Sequence, residues 1–181
     1  DRLAFAYEIR EDDPPLYQIP LNLLFAGGFA AVALGTSRTA IDRAIELCKT
    51  KIKRFTKVAM HLENATQDKI GQAEATWQAA NAFLVNTVDQ TWQEICQQGV
   101  CPKEDKYQLR LAATHAIRQA KVATDLVYDL CSTDSIRRSE PVHRCFQDLH
   151  VITQHLQGRP EVYGIVGGYK LGLIVQSYLV D

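Results

Sequence analysis

Between Leu109 and Leu130 the chain places Leu109, Ala113, Ala116, Ala120, Ala123, Val127 and Leu130 at alternating steps of four and three. That spacing keeps one stripe of an α-helix turned toward a single neighbour along its whole length. The middle of the stripe is alanine, so only a backbone that comes close can cover it. The chain must therefore supply long helices packed tightly side by side.

The flanking sequence supplies them. A first helix is predicted to begin near Pro20, since proline suits a first turn, and to run past Ile52. Leu34, Ile41, Ile45, Ile52 and Phe55 share one face, while KTKIKR (49–54) is mostly solvated. HLENATQD (61–68) reads as a break, with Asn64 or Thr66 as the next cap. A second helix covers about 66–98, with Trp77, Ala80, Leu84, Val88 and Ile95 on its stripe and Gly99 as a left-handed cap. Pro102, Glu104 and Asp105 suit the N-terminus of the seam helix. CSTDSIRRSE (131–140) is a polar loop. A fourth helix runs from Pro141 to Gln157, capped by Gly158, and Arg159-Pro160 opens a fifth that reaches about Tyr178. The glycines of LLFAGGFAAVALG (23–35) and GIVGGYKLG (164–172) are expected to allow close helix packing. No strand or internal repeat is visible. The expected fold is all-α: an up-and-down four-helix bundle with an extra C-terminal helix over 17–181, after a connector over 1–16 that DDPP (12–15) keeps irregular.

Charge and cysteine usage remove several function classes. A net charge of −1 gives no electrostatic reason to expect a nucleic-acid or anionic-membrane partner. The apolar run 23–35 is short for a membrane span and reads as a helix buried in protein. Five cysteines, without a CxxC pair, argue against a disulfide framework or zinc knuckle and favour a reduced, cytoplasmic setting.

The densest polar stretch is CFQDLHVITQH, Cys145 to His155. On a continuous helix His150 and His155 lie about 140° apart and cannot share a metal ion. Asp148 and His155, or His143 and His150, share a face but sit two turns apart, so no metal is expected. No serine or cysteine sits in a nucleophile elbow, and the glycines of 164–172 have the wrong spacing for a phosphate loop. His61 and His115 read as structural or solvated, Trp77 and Trp92 as core or interface residues. The pattern alone leaves the partners of the polar stretch open: other helices, or a ligand.

The order of segments adds a resemblance. PLYQIPLNLLFAGGFAAVALGTSRTAID (15–42), GQAEATWQAANAFLVNTVDQTWQEI (71–95), LRLAATHAIRQAKVATDLVYDLCS (109–132) and PVHRCFQDLHVITQH (141–155) follow one another. Together they resemble the C-terminal helical domain of the acyl-CoA dehydrogenase fold, and more narrowly its flavin-dependent monooxygenase branch. The resemblance spans about 15–178. It implies that His155 lies at the reactive edge of a flavin, either as a base toward a phenolic or heteroaromatic substrate or steadying the flavin–oxygen adduct. An imidazole can accept and return a proton near neutral pH. Asp148 and His150 become flavin-side or structural contacts, and Arg144 a partner for a carboxylate or a subunit neighbour. Two departures stand out: Gln147 replaces an arginine of the motif, and Cys131-Ser132-Thr133 replaces a Gly-rich turn.

The resemblance further implies an N-terminal helical domain and a β-barrel that holds most of the flavin (FAD or FMN), a homotetramer, and a separate flavin reductase. The implied function is the active-site-closing, oligomer-forming domain of a reduced-flavin-dependent aromatic hydroxylase. An acyl-CoA dehydrogenase with FAD and a carboxylate base is the alternative within the fold, although EVYG (161–164) is not the expected Tyr-Glu-Gly context. A non-catalytic helical oligomerisation module is the alternative outside enzymology.

Overall fold

The computed structural model describes residues 10, 13–53, 57–174 and 177–180. Among them the chain forms α1 (Leu21–Thr50), α2 (Asn64–Gln98), α3 (Lys103–Cys131), α4 (Pro141–Ile152) and α5 (Glu161–Lys170), with a 3-10 turn before α1 and between every consecutive pair except α2 and α3. No strand is present among these residues, only an isolated antiparallel bridge between Ile52 and Ala59. Phe55 and most of the expected connector lie outside the described residues.

α3 is the axis of the bundle. α1 and α2 make the largest interfaces with it, and α4 lies across α1 and α3. All seven predicted seam residues are buried, and Ala116, Ala120, Ala123 and Val127 are fully so. Ala26, Ala30 and Ala33 of α1 and Ala80 of α2 share one cluster with Ala113, Ala116 and Ala120, and Ala40, Ile41 and Ala44 of α1 and Ala73 of α2 share a second with Ala123 and Val127. Small residues on both sides bring the backbones close enough for a buried Thr124 hydroxyl to donate to the Ser37 hydroxyl at 3.1 Å. α1 and α2 are tied at the same level. The Trp77 indole N–H donates to the Leu34 carbonyl at 2.8 Å. Arg38 grips Glu74 with two bonds of 2.9 and 2.8 Å, and its guanidinium lies 5.3 Å above the Trp77 ring.

Helix ends differ from the sequence expectation where backbone geometry decides them. α1 stops at Thr50 because Lys51 turns extended and Ile52 joins the bridge, so Ile52 is exposed rather than on the core face. α2 begins at Asn64, one residue after an extended Glu63, without a side-chain cap. Its other end is as expected: Gly99 sits at φ 75° and donates to the Ile95 carbonyl at 2.8 Å. α5 ends at Lys170, well short of Tyr178. Gly172 at φ 78° donates to Tyr169 O and Leu173 to Gly168 O, each at 3.0 Å, the paired bonds of a Schellman stop. The chain then folds back, burying Leu179 and Val180 against Tyr107, Val162 and Val166.

Gly27, Gly28, Gly164 and Gly167 do not serve close helix packing within this chain. A Cβ at Gly27, Gly28, Gly164 or Gly167 would meet open space. Gly27 and Gly28 instead line a groove of about 550 Å³ with Leu23, Leu24, Val88 and Trp92. Val88, expected on the core stripe of α2, is 44% exposed there. α1 is long and apolar enough to cross a membrane by length and composition alone; here one of its faces is built into the bundle core.

Two predictions follow from local geometry. Ser132 holds φ 57°, ψ −133°, a conformation that favours glycine, at the point where the motif's Gly-rich turn is replaced. Ser132→Gly is expected to raise stability by about 1 kcal/mol, measured as an upward shift of the urea midpoint at unchanged slope. The Glu74 carboxyl is held below its ordinary range by the hydrogen bond from Arg38, against the opposing pull of burial. A depressed carboxyl stabilises the fold above its unfolded-state pKa and loses that contribution as pH falls through its folded-state pKa. Glu74→Gln is expected to cost about 1 kcal/mol at neutral pH and to flatten the acid limb of the stability–pH curve; equal acid limbs in both proteins would contradict it.

Candidate functional site

The polar stretch does not form one continuous helix. α4 stops at Ile152, five residues before the expected Gln157. The Thr153 hydroxyl donates to the His150 carbonyl at 2.9 Å, satisfying one of the acceptors a helix end leaves open. His155 then takes an extended conformation, φ −67° and ψ 152°, and caps a 3-10 turn, Leu156–Gly158. Gly158 does not cap α4. It is buried at the end of that turn, where a Cβ would lie 2.9 Å from the Ile152 carbonyl oxygen and 3.1 Å from Ile117.

This break separates residues that the sequence grouped. His155 is exposed and lies flat on Phe29 of α1, ring centroids 4.2 Å apart and planes 7° from parallel. Its Nδ1 accepts the Gln157 backbone N–H at 3.3 Å. His150 turns to α3 instead. Its Nδ1 bonds the Phe146 carbonyl at 2.8 Å, its Nε2 lies 3.6 Å from Asp125, and its ring packs on Phe146, which stacks on Tyr128. Arg144 and Asp148 pair with each other at 3.5 Å on the open face of α4, with side chains 84% and 51% exposed. Gln147, in place of the motif's arginine, is exposed as well. His143 bonds the Ser135 carbonyl at 3.1 Å and so anchors the 132–140 loop.

Sequence reasoning missed the residues that hold His155. Arg110 of α3 is fully buried, and among the described residues no carboxylate pairs with it. Its Nη1 donates to Gln157 Oε1, and its Nη2 to the carbonyls of Leu156 at 3.2 Å and Gln157 at 3.4 Å. Its buried Nε has no partner. Burial pushes the guanidinium down to about 10, still charged at neutral pH. Gln157 passes the chain on, its Nε2 donating to Asn22 Oδ1 at 2.8 Å, and Asn22 donates to the Tyr178 carbonyl. A signal existed: Ala113, Thr114 and Ile117 lie three, four and seven residues after Arg110, so a cation stands on an apolar helix face. His115 packs edge-on to Phe83 at 5.8 Å, and burial lowers its pKa. Among the described residues no three His, Cys, Asp or Glu side chains converge on a common point.

Residues 27–160 match the family described as acyl-CoA dehydrogenase, C-terminal domain. The chain belongs to this family. The chain is similar to curated proteins named as monooxygenases and hydroxylases. Indole-3-acetate monooxygenase of Pseudomonas putida is 27% identical over 143 residues, 79% of this chain and 37% of that protein. The oxygenase component of p-hydroxyphenylacetate 3-hydroxylase from Acinetobacter baumannii is 25% identical over 163 residues, 88% of this chain and 38% of that protein. The chain thus spans little more than a third of the curated relatives it matches. Among solved structures, 3-HSA hydroxylase from Rhodococcus sp. RHA1 superposes with a TM-score of 0.85 at 20% identity, covering 92% of this chain and 44% of that one. XiaF from Streptomyces sp., solved with FADH2 and glycerol, gives 0.83 at 20% identity over 91% and 43%. At these identities the structures establish the acyl-CoA dehydrogenase C-terminal fold.

The tight seat of Gly158 gives the site its own test. Gly158→Ala is expected to cost about 1–3 kcal/mol through overpacking against Ile117 and the 152–153 backbone. The same variant should disturb the His155 ring signals in an NMR spectrum; unchanged stability and unchanged ring signals would contradict the packing described.

Proposed function

We propose that this chain is the active-site-closing domain of a reduced-flavin-dependent aromatic hydroxylase, with His155 as the residue that touches the reacting centre. One observation carries the reading. At the end of the α4 motif, His155 is held flat on Phe29 and still exposed, so its outer edge is free to meet a bound molecule. Membership of the acyl-CoA dehydrogenase C-terminal family supports it, as do relatives named for oxidising indole-3-acetate and p-hydroxyphenylacetate.

The residues present fit the edge of a flavin rather than the whole of it. His155 offers a polar ring edge on an aromatic backing, and the exposed Arg144–Asp148 pair offers charge to a phosphate or a neighbouring domain. His150 takes the structural part, joining α4 to α3 through Asp125. Bound reduced flavin supplies the electrons that activate O₂. The domain's own share is to exclude water, orient the aromatic substrate and hold a proton at His155. A β-barrel and first helical domain, a homotetramer and a partner reductase belong to the same proposal. Its support is the chain's coverage of only 37% of the Pseudomonas relative and the uncovered apolar groove beside Gly27 and Gly28.

The test uses the longest native polypeptide carrying this sequence, loaded anaerobically with reduced FAD or FMN, given an aromatic acid and then O₂. Hydroxylated product is expected. His155→Ala is expected to lower its yield about a hundredfold or more while flavin is retained. Flavin bleaching by an acyl-CoA, with no hydroxylation, would replace this reading by a dehydrogenase.

A further inference from the structure

We infer that Arg110 is a positioning residue of this site: acting through Gln157, it fixes His155 as the tautomer that presents Nε2–H outward. The bearing on catalysis rests on the hydroxylase reading; the positioning itself does not.

The argument starts from a donor that has no choice. A backbone N–H can only donate, so the Gln157 amide at 3.3 Å requires a lone pair on His155 Nδ1. In the neutral ring the hydrogen is then on Nε2. Stacking on Phe29 fixes the plane of the ring, so the direction of that N–H is fixed too. What remains is the orientation of the Gln157 peptide, and Arg110 sets it. One planar guanidinium binds the carbonyls on both sides of the Gln157 amide nitrogen, Leu156 O and Gln157 O, together with the Gln157 side chain. Asn22 pins the far end of that side chain to α1, the helix that carries Phe29. Ring, amide and cation are therefore referred to one rigid body, α1 packed on α3.

A purely structural requirement gives no reason for this cation. Among the described residues Arg110 has no carboxylate partner and its buried Nε has no hydrogen bond, an arrangement that apolar packing usually equals or betters for stability. Orientation of a peptide group is what a charged fork supplies and a methionine does not. The chemical consequence is specific. A ring whose Nδ1 lone pair is engaged shows a hydrogen-bond donor to the site and cannot accept a proton at Nε2. Between the two roles implied by the resemblance, base and oxygen-steadying donor, the geometry selects the donor.

The test reads the ring directly, with ring-¹⁵N histidine in the longest native polypeptide carrying this sequence and no flavin added. The neutral His155 is expected to show a protonated Nε2 and an unprotonated, hydrogen-bonded Nδ1. A protonated Nδ1 overturns the proposal on its own. Arg110→Met is expected to shift the Nδ1 resonance toward that of a solvated imidazole and to abolish hydrogen-exchange protection at the Gln157 amide, with Arg110→Lys recovering part of both. A folded Arg110→Met protein with both signals unchanged overturns it. Gln157→Leu is the second variant, should Arg110→Met not fold, with the same losses expected and the same reversal if they are absent. Because these signals need no flavin, a failed hydroxylation assay would sink the functional reading and leave the positioning of His155 standing.

Discussion

The close approach of α1 to α3 across an alanine seam is the constraint on which the rest depends. Ala26, Ala30 and Ala33 on one side and Ala112, Ala113, Ala116 and Ala120 on the other leave little room for a side-chain layer between the backbones. The Ser37–Thr124 bond exists only at that separation. So does the site. Phe29 lies on α1 and Arg110 on α3, and His155 and Gln157 are held between them by the two. A larger side chain in the seam would move both supports of the histidine at once.

The long helices were legible because their apolar residues recur with helical spacing over many turns, and every seam residue proved buried. Their ends were less so. Gly99 was readable as a left-handed stop, since glycine there follows the last periodic residue. Gly172 uses the same chemistry, but it follows three other glycines in the same segment, and nothing local distinguishes the stop from its neighbours. The end of α4 was hidden for another reason. Its signal is the fit of Gly158 against Ile117, forty-one residues earlier in the chain. The glycines at 27, 28, 164 and 167 misled because glycine marks backbone freedom or a missing side chain, and spacing does not say which one is used.

The site was legible in part. His155 was singled out by the resemblance, and the break that places it on a turn was not visible in the sequence. The resemblance offered His150 as a flavin-side or structural contact, and the α4 face that bears it is occupied by Asp125, Phe146 and Tyr128. Arg110 shows the opposite case. Its position on an apolar face was visible, but its partners are mostly main-chain carbonyls, which a sequence does not display.

Capping and chemistry are easily set against each other as readings of a histidine at the end of a helix motif. In this chain they are one arrangement. The cap is a backbone amide on Nδ1, and that bond decides which nitrogen carries the hydrogen. His150, in the middle of α4, shows the contrast: its Nδ1 is tied to the Phe146 carbonyl one turn back and its Nε2 lies 3.6 Å from Asp125, so both ring nitrogens face protein. Ending the helix at Ile152 exposes one edge of His155 while the other stays tied to the main chain. A loop residue referred to a rigid core in this way combines access with fixed direction, which is what a group that must meet a transient partner requires.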